Sequence, residues 1–299
     1  MKSLPLVSFI IPALNSSRTI DRCLNSIVSQ RYPRLEVIVV DNGSKDETLN
    51  IASKYADVIL ERPKGTVGYL RQEGVQASKG EILGIFDSDI YLPHENWLFN
   101  AIQPFIEDDQ VGIVWPYNIA PKRSTAITRC YLNFSRTRFD RQGALPGGNS
   151  LILRKAIDEV RGFNTRLHGG EDMDLCFRIV LEGYKAVKWD EPIIHDTMRS
   201  LREFTRKDII RSATMIDYEK RGSKINLLYA CMTFRLSPVQ QSSQLIMMEG
   251  AVDHVLIALK SMAHGFKEDY ANGLIPLLLS IRLFIYGLYY LRFLAKMDK

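Results

Sequence analysis

Residues 80–93 read GEILGIFDSDIYLP, and this stretch decides the fold. A short apolar run opens after Gly80 and ends in the polar triplet Asp87-Ser88-Asp89. That pattern predicts a strand over 81–87, buried on both faces, with two carboxylates at i and i+2 where the strand ends. Side chains so placed can swing toward one ligand. Hard cations such as Mg²⁺ or Mn²⁺ bind through one or two carboxylates together with substrate phosphates, so two acids suffice if the ligand brings a diphosphate. The competing reading is a solvated turn after a strand. A calcium loop is excluded, because Tyr91 and Leu92 stand where that loop needs an oxygen ligand and a glycine.

Working outward, the flanking sequence repeats the alternation of short apolar runs and helical patterns. Strands are predicted at 7–12, 35–41, 57–61 and 111–117, and helices from the Asn15-Ser16-Ser17 cap to near Gln30, over 47–55, over 67–77 and over 94–106. Such an order predicts an α/β fold with a mostly parallel, doubly wound sheet flanked by helices. Ligands of these sheets bind beyond the carboxyl ends of the strands. The later chain reads as a long basic loop over 122–142, a strand at 149–153, a helix over 171–182 closed by Gly183, and a strand at 185–189. Beyond His195 it is helix-rich, with a boundary near residue 225 that separates a catalytic domain (1–224) from a helical extension (225–299).

The whole-chain totals narrow the classes. A chain of 299 residues with 46% hydrophobic content can bury a sizeable core. Its net charge of +5 is too mild to indicate nucleic-acid binding. The cysteines, Cys23, Cys130, Cys176 and Cys231, show neither a disulfide nor a zinc spacing, and no secretory signal opens the sequence, so a cytoplasmic, reducing setting is expected. Neither a P-loop nor a dinucleotide fingerprint occurs, so any diphosphate must be held through a metal and basic side chains.

Four further positions carry candidate chemistry. Asp41 ends an apolar strand and opens Asp41-Asn42-Gly43-Ser44, either as a turn aspartate bonding its own backbone or as an acceptor for a base N–H. Glu171, Asp172 and Asp174 follow Gly169-Gly170 at the start of a helix. Acids there suit the helix dipole, and one of them can also serve as a general base. His195 follows a predicted strand and suits a role at a metal or diphosphate. Gly147-Gly148-Asn149 precedes a strand and permits close backbone approach to an acceptor or diphosphate.

Taken in order, VSFIIPALNSSRTIDRCLNSIVSQ, LEVIVVDNGSKDET, GYLRQEGVQASKGEILGIFDSDIYLP, GGNSLILRKAIDEVRGFN and GGEDMDLCFRI resemble the family-2 glycosyltransferases with the GT-A fold, over roughly residues 5 to 210. The resemblance implies an inverting transfer of sugar from a UDP-, GDP- or dTDP-linked donor with Mn²⁺ or Mg²⁺ as cofactor. It implies nucleotide contacts at Pro12, Asn15, Asp41, Arg71, Asp87 and Ser88, a metal on Asp89 with His195, and Asp172 as catalytic base oriented by Glu171. Arg71-Gln72 departs from the Arg-Asn common in relatives, which weakens any base contact at the second position. The acceptor expected is a hydroxyl of a glycan or lipid-linked glycan. The alternatives are sugar transfer to polyprenyl phosphate, a catalytically silent nucleotide-sugar scaffold, and a nucleotidyltransferase, which the loop ALNSSRT does not resemble.

Two basic segments and the tail bear on partners. Residues 122–141 hold six basic side chains against Asp140, and 199–224 hold eight against four acids. These are either solvated faces or contacts to phosphates of a donor or an anionic membrane surface. The stretch 274–295 is almost wholly apolar but carries Arg282 near its middle, which is costly at bilayer depth. A peripheral interfacial helix within 268–299 is expected, with core packing or a homo-oligomer interface and a spanning helix as alternatives.

Overall fold

The computed structural model describes residues 4–139, 147–167, 169–207 and the positions 209, 277 and 281. Eight strands form one sheet, in the order β3-β2-β1-β4-β7-β6-β8-β5. They are β1 (Val7–Ala13), β2 (Leu35–Asp41), β3 (Val58–Glu61), β4 (Ile82–Ile85), β5 (Ile90–Tyr91), β6 (Val111–Ile119), β7 (Ser150–Leu153) and β8 (Lys185–His195). Between them run α1 (Ile20–Val28), α2 (Thr48–Ala52), α3 (Val67–Ala77), α4 (Trp97–Ala101), α5 (Gln103–Glu107), α6 (Ala126–Phe139), α7 (Arg154–Glu159) and α8 (Glu171–Leu181).

The parallel, doubly wound order holds across β3-β2-β1-β4. Beyond β4 the β4–β7, β6–β7 and β5–β8 pairings are antiparallel, so the complete sheet is mixed. The chain winds outward from β1 to β2 and β3, then returns through α3 to place β4 on the other side of β1. A topological switch point therefore lies between β1 and β4, and the crevice at their carboxyl ends is where such sheets bind ligands. Val7, Phe9 and Ile11 of β1, Val37 and Val39 of β2, and Phe86 beyond β4 anchor the main core. Phe86 makes edge contacts with Phe9 (5.3 Å) and Trp97 (6.1 Å). Pro12 is tolerated in the central strand because β4 pairs with β1 only as far as Ile10, so the missing N–H falls where β1 has one neighbour.

Three expectations need correction. The helix after β1 begins at Ile20 behind Thr19, not behind Asn15-Ser16-Ser17, whose polar groups instead bond the loop after β2. The helix expected over 94–106 is two short ones, α4 and α5, with Pro104 inside the first turn of the second. The basic segment 122–142, expected as a loop, contains α6. Its inward residues include Thr128 and Cys130 beside Leu132, so the buried face is partly polar in type and hides the helical period among arginines.

The chain divides into two compact units, 1–118 with 146–196, and 119–145 with 197–299. In the second, Thr128 Oγ1 donates to Met198 O (2.8 Å) and Tyr131 meets Phe204 edge-on at 6.3 Å. Cys23, Cys130 and Cys176 are free and buried. Among the described residues no helix is long and apolar enough to cross a membrane. The expected boundary near 225, Cys231 and all but two positions of the 268–299 tail lie outside the described residues.

Candidate active site

Every residue of the site belongs to the first unit. The turn after β4 is fixed on four sides. Asp87 N donates to Asn149 Oδ1 (2.8 Å), and the Asp87 carbonyl accepts from the Cys23 thiol (3.6 Å). Ser88 and Ser16 share a hydroxyl–hydroxyl hydrogen bond (2.8 Å), and Asp196 N donates to Asp89 O (2.8 Å). These bonds set the direction of both carboxylates without using the carboxylates themselves.

Asp87, Asp89 and His195 come together, each offering a ligand atom within 4.8 Å of the others. β5 pairs with β8 so that Ile90 lies opposite His195, which carries the imidazole to Asp89: Nε2 stands 3.0 Å from Oδ1. Neighbouring ligands about 2.1 Å from an octahedral ion are about 3.0 Å apart, so this spacing needs little change to become a pair of ligands. Two carboxylates and an imidazole, all half-buried, fit Mn²⁺ or Mg²⁺ completed by phosphate oxygens.

Arg71 joins this cluster to the acids of α8. Its side chain is only 3% exposed, on the inward face of α3 with Gly68, Gly74 and Val75. Nη2 reaches Asp87 Oδ1 at 2.7 Å, and Nη1 lies 2.8 Å from Glu171 Oε1 and 4.0 Å from Asp172 Oδ2. Burial alone would lower the arginine pKa, but the charges of Glu171, Asp87 and Asp172 outweigh it and hold the guanidinium firmly protonated. Burial pushes the Glu171 carboxyl up to about 7, against the pull of Arg71 and with the help of the Asp172 charge. In this arrangement the Arg71 guanidinium is shut from solvent and shared among carboxylates, so the nucleotide contact expected there would require it to leave one of them.

The two acids at the start of α8 differ in access. Glu171 is buried beside Arg71, whereas the Asp172 side chain keeps 23% of its exposure. Asp172 Oδ1 accepts from Met173 N (2.8 Å), leaving Oδ2 toward Gly148, where an added Cβ would stand 2.7 Å from it. Close approach at Gly148 thus serves this carboxylate. Asn149 is buried in the left-handed conformation (φ 64°) with Oδ1 on Asp87 N, so it builds the turn that carries the first carboxylate.

Asp41 makes the turn named in the first of its two readings. It is fully buried, Oδ2 accepts from the amides of Gly43 and Ser44 (2.8 Å each) and Oδ1 accepts from Ser44 Oγ (2.5 Å). Asn15 (φ 48°) is exposed and joins the loops after β1 and β2, donating to Ser44 Oγ and accepting from Lys45 N. Gln72, where the family pattern has asparagine, accepts from Phe163 N (2.8 Å), so its function is to hold the 160s segment. Sequence reasoning misses that α3 binds this segment. The available signal is Arg71 itself, placed three residues from Gly68 and Gly74 and four from Val75 on a face that must be buried.

The sheet that switches at β1, with acids at that point, is the fold of the GT-A class of glycosyltransferases, as its likeness to solved structures shows. The fold matches the mannosyltransferase PcManGT from Pyrobaculum calidifontis in complex with GDP-Man and Mn²⁺ (TM-score 0.61, 19% identity, 99% of this chain and 87% of that one). It also matches S. aureus TarS 1-349 in complex with UDP-GlcNAc (TM-score 0.54, 15% identity, 94% and 89%). The chain belongs to glycosyl transferase family 2, whose model matches residues 8–161. It is 30% identical over 198 residues to glycosyltransferase AglE of Haloferax volcanii, covering 61% of this chain and 64% of that protein. The chain spans less than two thirds of the length of the curated relatives it matches.

Proposed function

We propose that this protein is a metal-dependent, inverting glycosyltransferase that takes a sugar from a nucleotide-diphosphate donor and passes it to a hydroxyl of a glycan or lipid-linked glycan. The observation that carries the reading is the convergence of Asp87, Asp89 and His195, with Asp172 brought in from α8 through Arg71. GDP-Man with Mn²⁺ in PcManGT and UDP-GlcNAc in TarS support a donor of this class.

Asp89, His195 and the free oxygen of Asp87 would hold the divalent ion, which when bound neutralises charge on the departing diphosphate. Ser88, Pro12 and Asn15 lie at the β1 and β4 strand ends, where the nucleotide is expected. Asp172 Oδ2 takes the proton of the acceptor hydroxyl while that oxygen bonds the anomeric carbon. The bond from that carbon to the diphosphate oxygen breaks, and the nucleoside diphosphate leaves. Attack from the face opposite the leaving group inverts the centre. Asp172 suits this role better than Glu171, because Glu171 is buried against Arg71 and cannot meet an acceptor.

The test is Asp172→Asn with UDP-, GDP- and dTDP-sugars and Mn²⁺. Transfer is expected to fall at least about 10³-fold, with the donor Kd within about threefold of wild type. Retained transfer removes Asp172 from the role of base, and a product with retained anomeric configuration by NMR removes the inverting mechanism. For the 268–299 tail, flotation of the intact protein with anionic vesicles tests peripheral attachment, and protein left wholly in the soluble fraction counts against it.

A further inference from the structure

The geometry points to Arg71 as a positioning residue that couples occupancy of the Asp87–Asp89–His195 cluster to placement of the Asp172 carboxylate. This inference rests on the transferase reading only for what the two ends of the site do. Arg71 is one cation set among three carboxylates that are 16, 100 and 101 residues away in the chain. Asp87 belongs to both partners at once, to the guanidinium at 2.7 Å and to the candidate metal cluster.

The helix that carries Arg71 is itself fastened to the segment leading into α8. Thr66 Oγ1 donates to Thr165 O (2.5 Å), Gly68 N to Leu167 O (3.2 Å), and Gln72 Oε1 accepts from Phe163 N (2.8 Å). At Gly68 an added Cβ would stand 2.4 Å from Asn164 O, so the contact closes only on a glycine. α3 and the start of α8 are therefore held at fixed spacing, and the adjustable parts are side chains. Arg71 and Asp172, 4.0 Å apart, are the loosest of its three pairs.

Opposite charges attract in proportion to the charge left unneutralised. A divalent ion held by Asp87, Asp89 and His195 would draw on the Asp87 charge and leave Arg71 held chiefly by Glu171 and Asp172. The guanidinium would then shift toward α8, close on Asp172 and fix its carboxylate for the acceptor. With the cluster empty, Arg71 is shared and Asp172 is less constrained. Donor loading thus precedes readiness of the base.

The decisive comparison uses Arg71→Met, which keeps length and removes charge, Arg71→Lys, which keeps charge, and the double variant Arg71→Met/Glu171→Gln, which leaves no unpaired carboxylate at 171. Mn²⁺ binding without nucleotide, followed by EPR of the free ion, is expected to tighten about 3- to 10-fold in the double variant, because no guanidinium competes for Asp87. In turnover the double variant should lose about 100-fold in kcat with donor KM within about threefold, and Arg71→Lys should recover about tenfold. Unchanged Mn²⁺ affinity, or a loss confined to donor KM, would overturn the proposal and return Arg71 to the nucleotide. Should Arg71→Met fail to fold, the double variant decides. A wild-type protein that transfers no sugar from any donor sinks the transferase reading instead, and the Mn²⁺ comparison, which needs no turnover, still decides the coupling.

Discussion

The two sides of the crevice are built by opposite means. At the ends of β1 and β2, polar side chains are occupied by nearby backbone: Asp41 by Gly43 and Ser44, Asn15 by Lys45, and Asn42 by a reciprocal pair with Gly65. Around α8, charges from distant parts of the chain balance each other through one buried arginine. The first side is a set of closed turns that hold a shape whatever is bound. The second is a charge cluster whose members are held by one another and not by nearby backbone. Hydrogen bonds to backbone contribute about 1 kcal/mol each, somewhat more to a carboxylate, whereas breaking one partner of a buried ion pair costs about 3–5 kcal/mol. Changes on the α8 side should therefore reach catalysis, and changes on the β1–β2 side should mostly reach stability.

The largest effect is expected where the two sides meet. Asp89→Ala removes a carboxylate of the cluster and the partner of His195. Transfer should fall at least about 10³-fold, and thermal stabilisation by donor with Mn²⁺ should vanish while the melting temperature of the free protein changes little. Stabilisation that survives in this variant would separate donor binding from the cluster.

Gly148→Ala comes next, as a change on the α8 side that touches no charge. The new methyl would sit 2.7 Å from Asp172 Oδ2, the far end of a movable side chain, so the carboxylate must turn aside. A drop of about 10- to 100-fold in kcat with donor KM nearly constant is expected from steady-state kinetics. A loss that appears in donor KM instead would place Gly148 against the nucleotide.

Local pattern in the sequence already carries much of this contrast. The strand at Ile82–Ile85, the helix at Val67–Ala77 and the acidic start of α8 follow from apolar run length, helical period and glycine punctuation. Their order also implies the parallel half of the sheet. What local pattern does not carry is long-range. The antiparallel return of β7 and β6 depends on which strands meet, and neither run holds that in its own residues. Asp41 illustrates the limit at the site: an Asp-Asn-Gly-Ser run supports both a turn and a ligand contact, and the same residues serve either. Arg71 is a nucleotide contact only through the family resemblance, whereas its helical face argues for burial.

Asp41 provides the third test, on the β1–β2 side. Asp41→Ala leaves the amides of Gly43 and Ser44 without their buried acceptor, and should cost about 2–4 kcal/mol by denaturant unfolding. Asp41→Asn can present its one oxygen to both amides and its amide nitrogen to Ser44 Oγ, so about 1 kcal/mol is expected. Donor preference should be the same in wild type and Asp41→Asn. A switch in nucleotide preference would show that Asp41 reads the base as well as making the turn.

The smallest effect belongs to Ser16, which tests whether the closed turns matter to the metal cluster at all. Its hydroxyl meets that of Ser88 between the two acids of the β4 turn, the direct tie from the β1 loop to that turn. Because Asn149, Cys23 and Asp196 also hold the turn, losing one of four restraints should leave both carboxylates in place. Ser16→Ala is expected to cost about 0.5–1.5 kcal/mol in stability and to weaken donor binding no more than about threefold by calorimetry. Adding Ser88→Ala should then cost almost nothing further, since a double-mutant cycle isolates the shared bond. Independent, additive losses would mean that Ser88 has a second partner, and the nucleotide expected at that strand end would be the first one to look for.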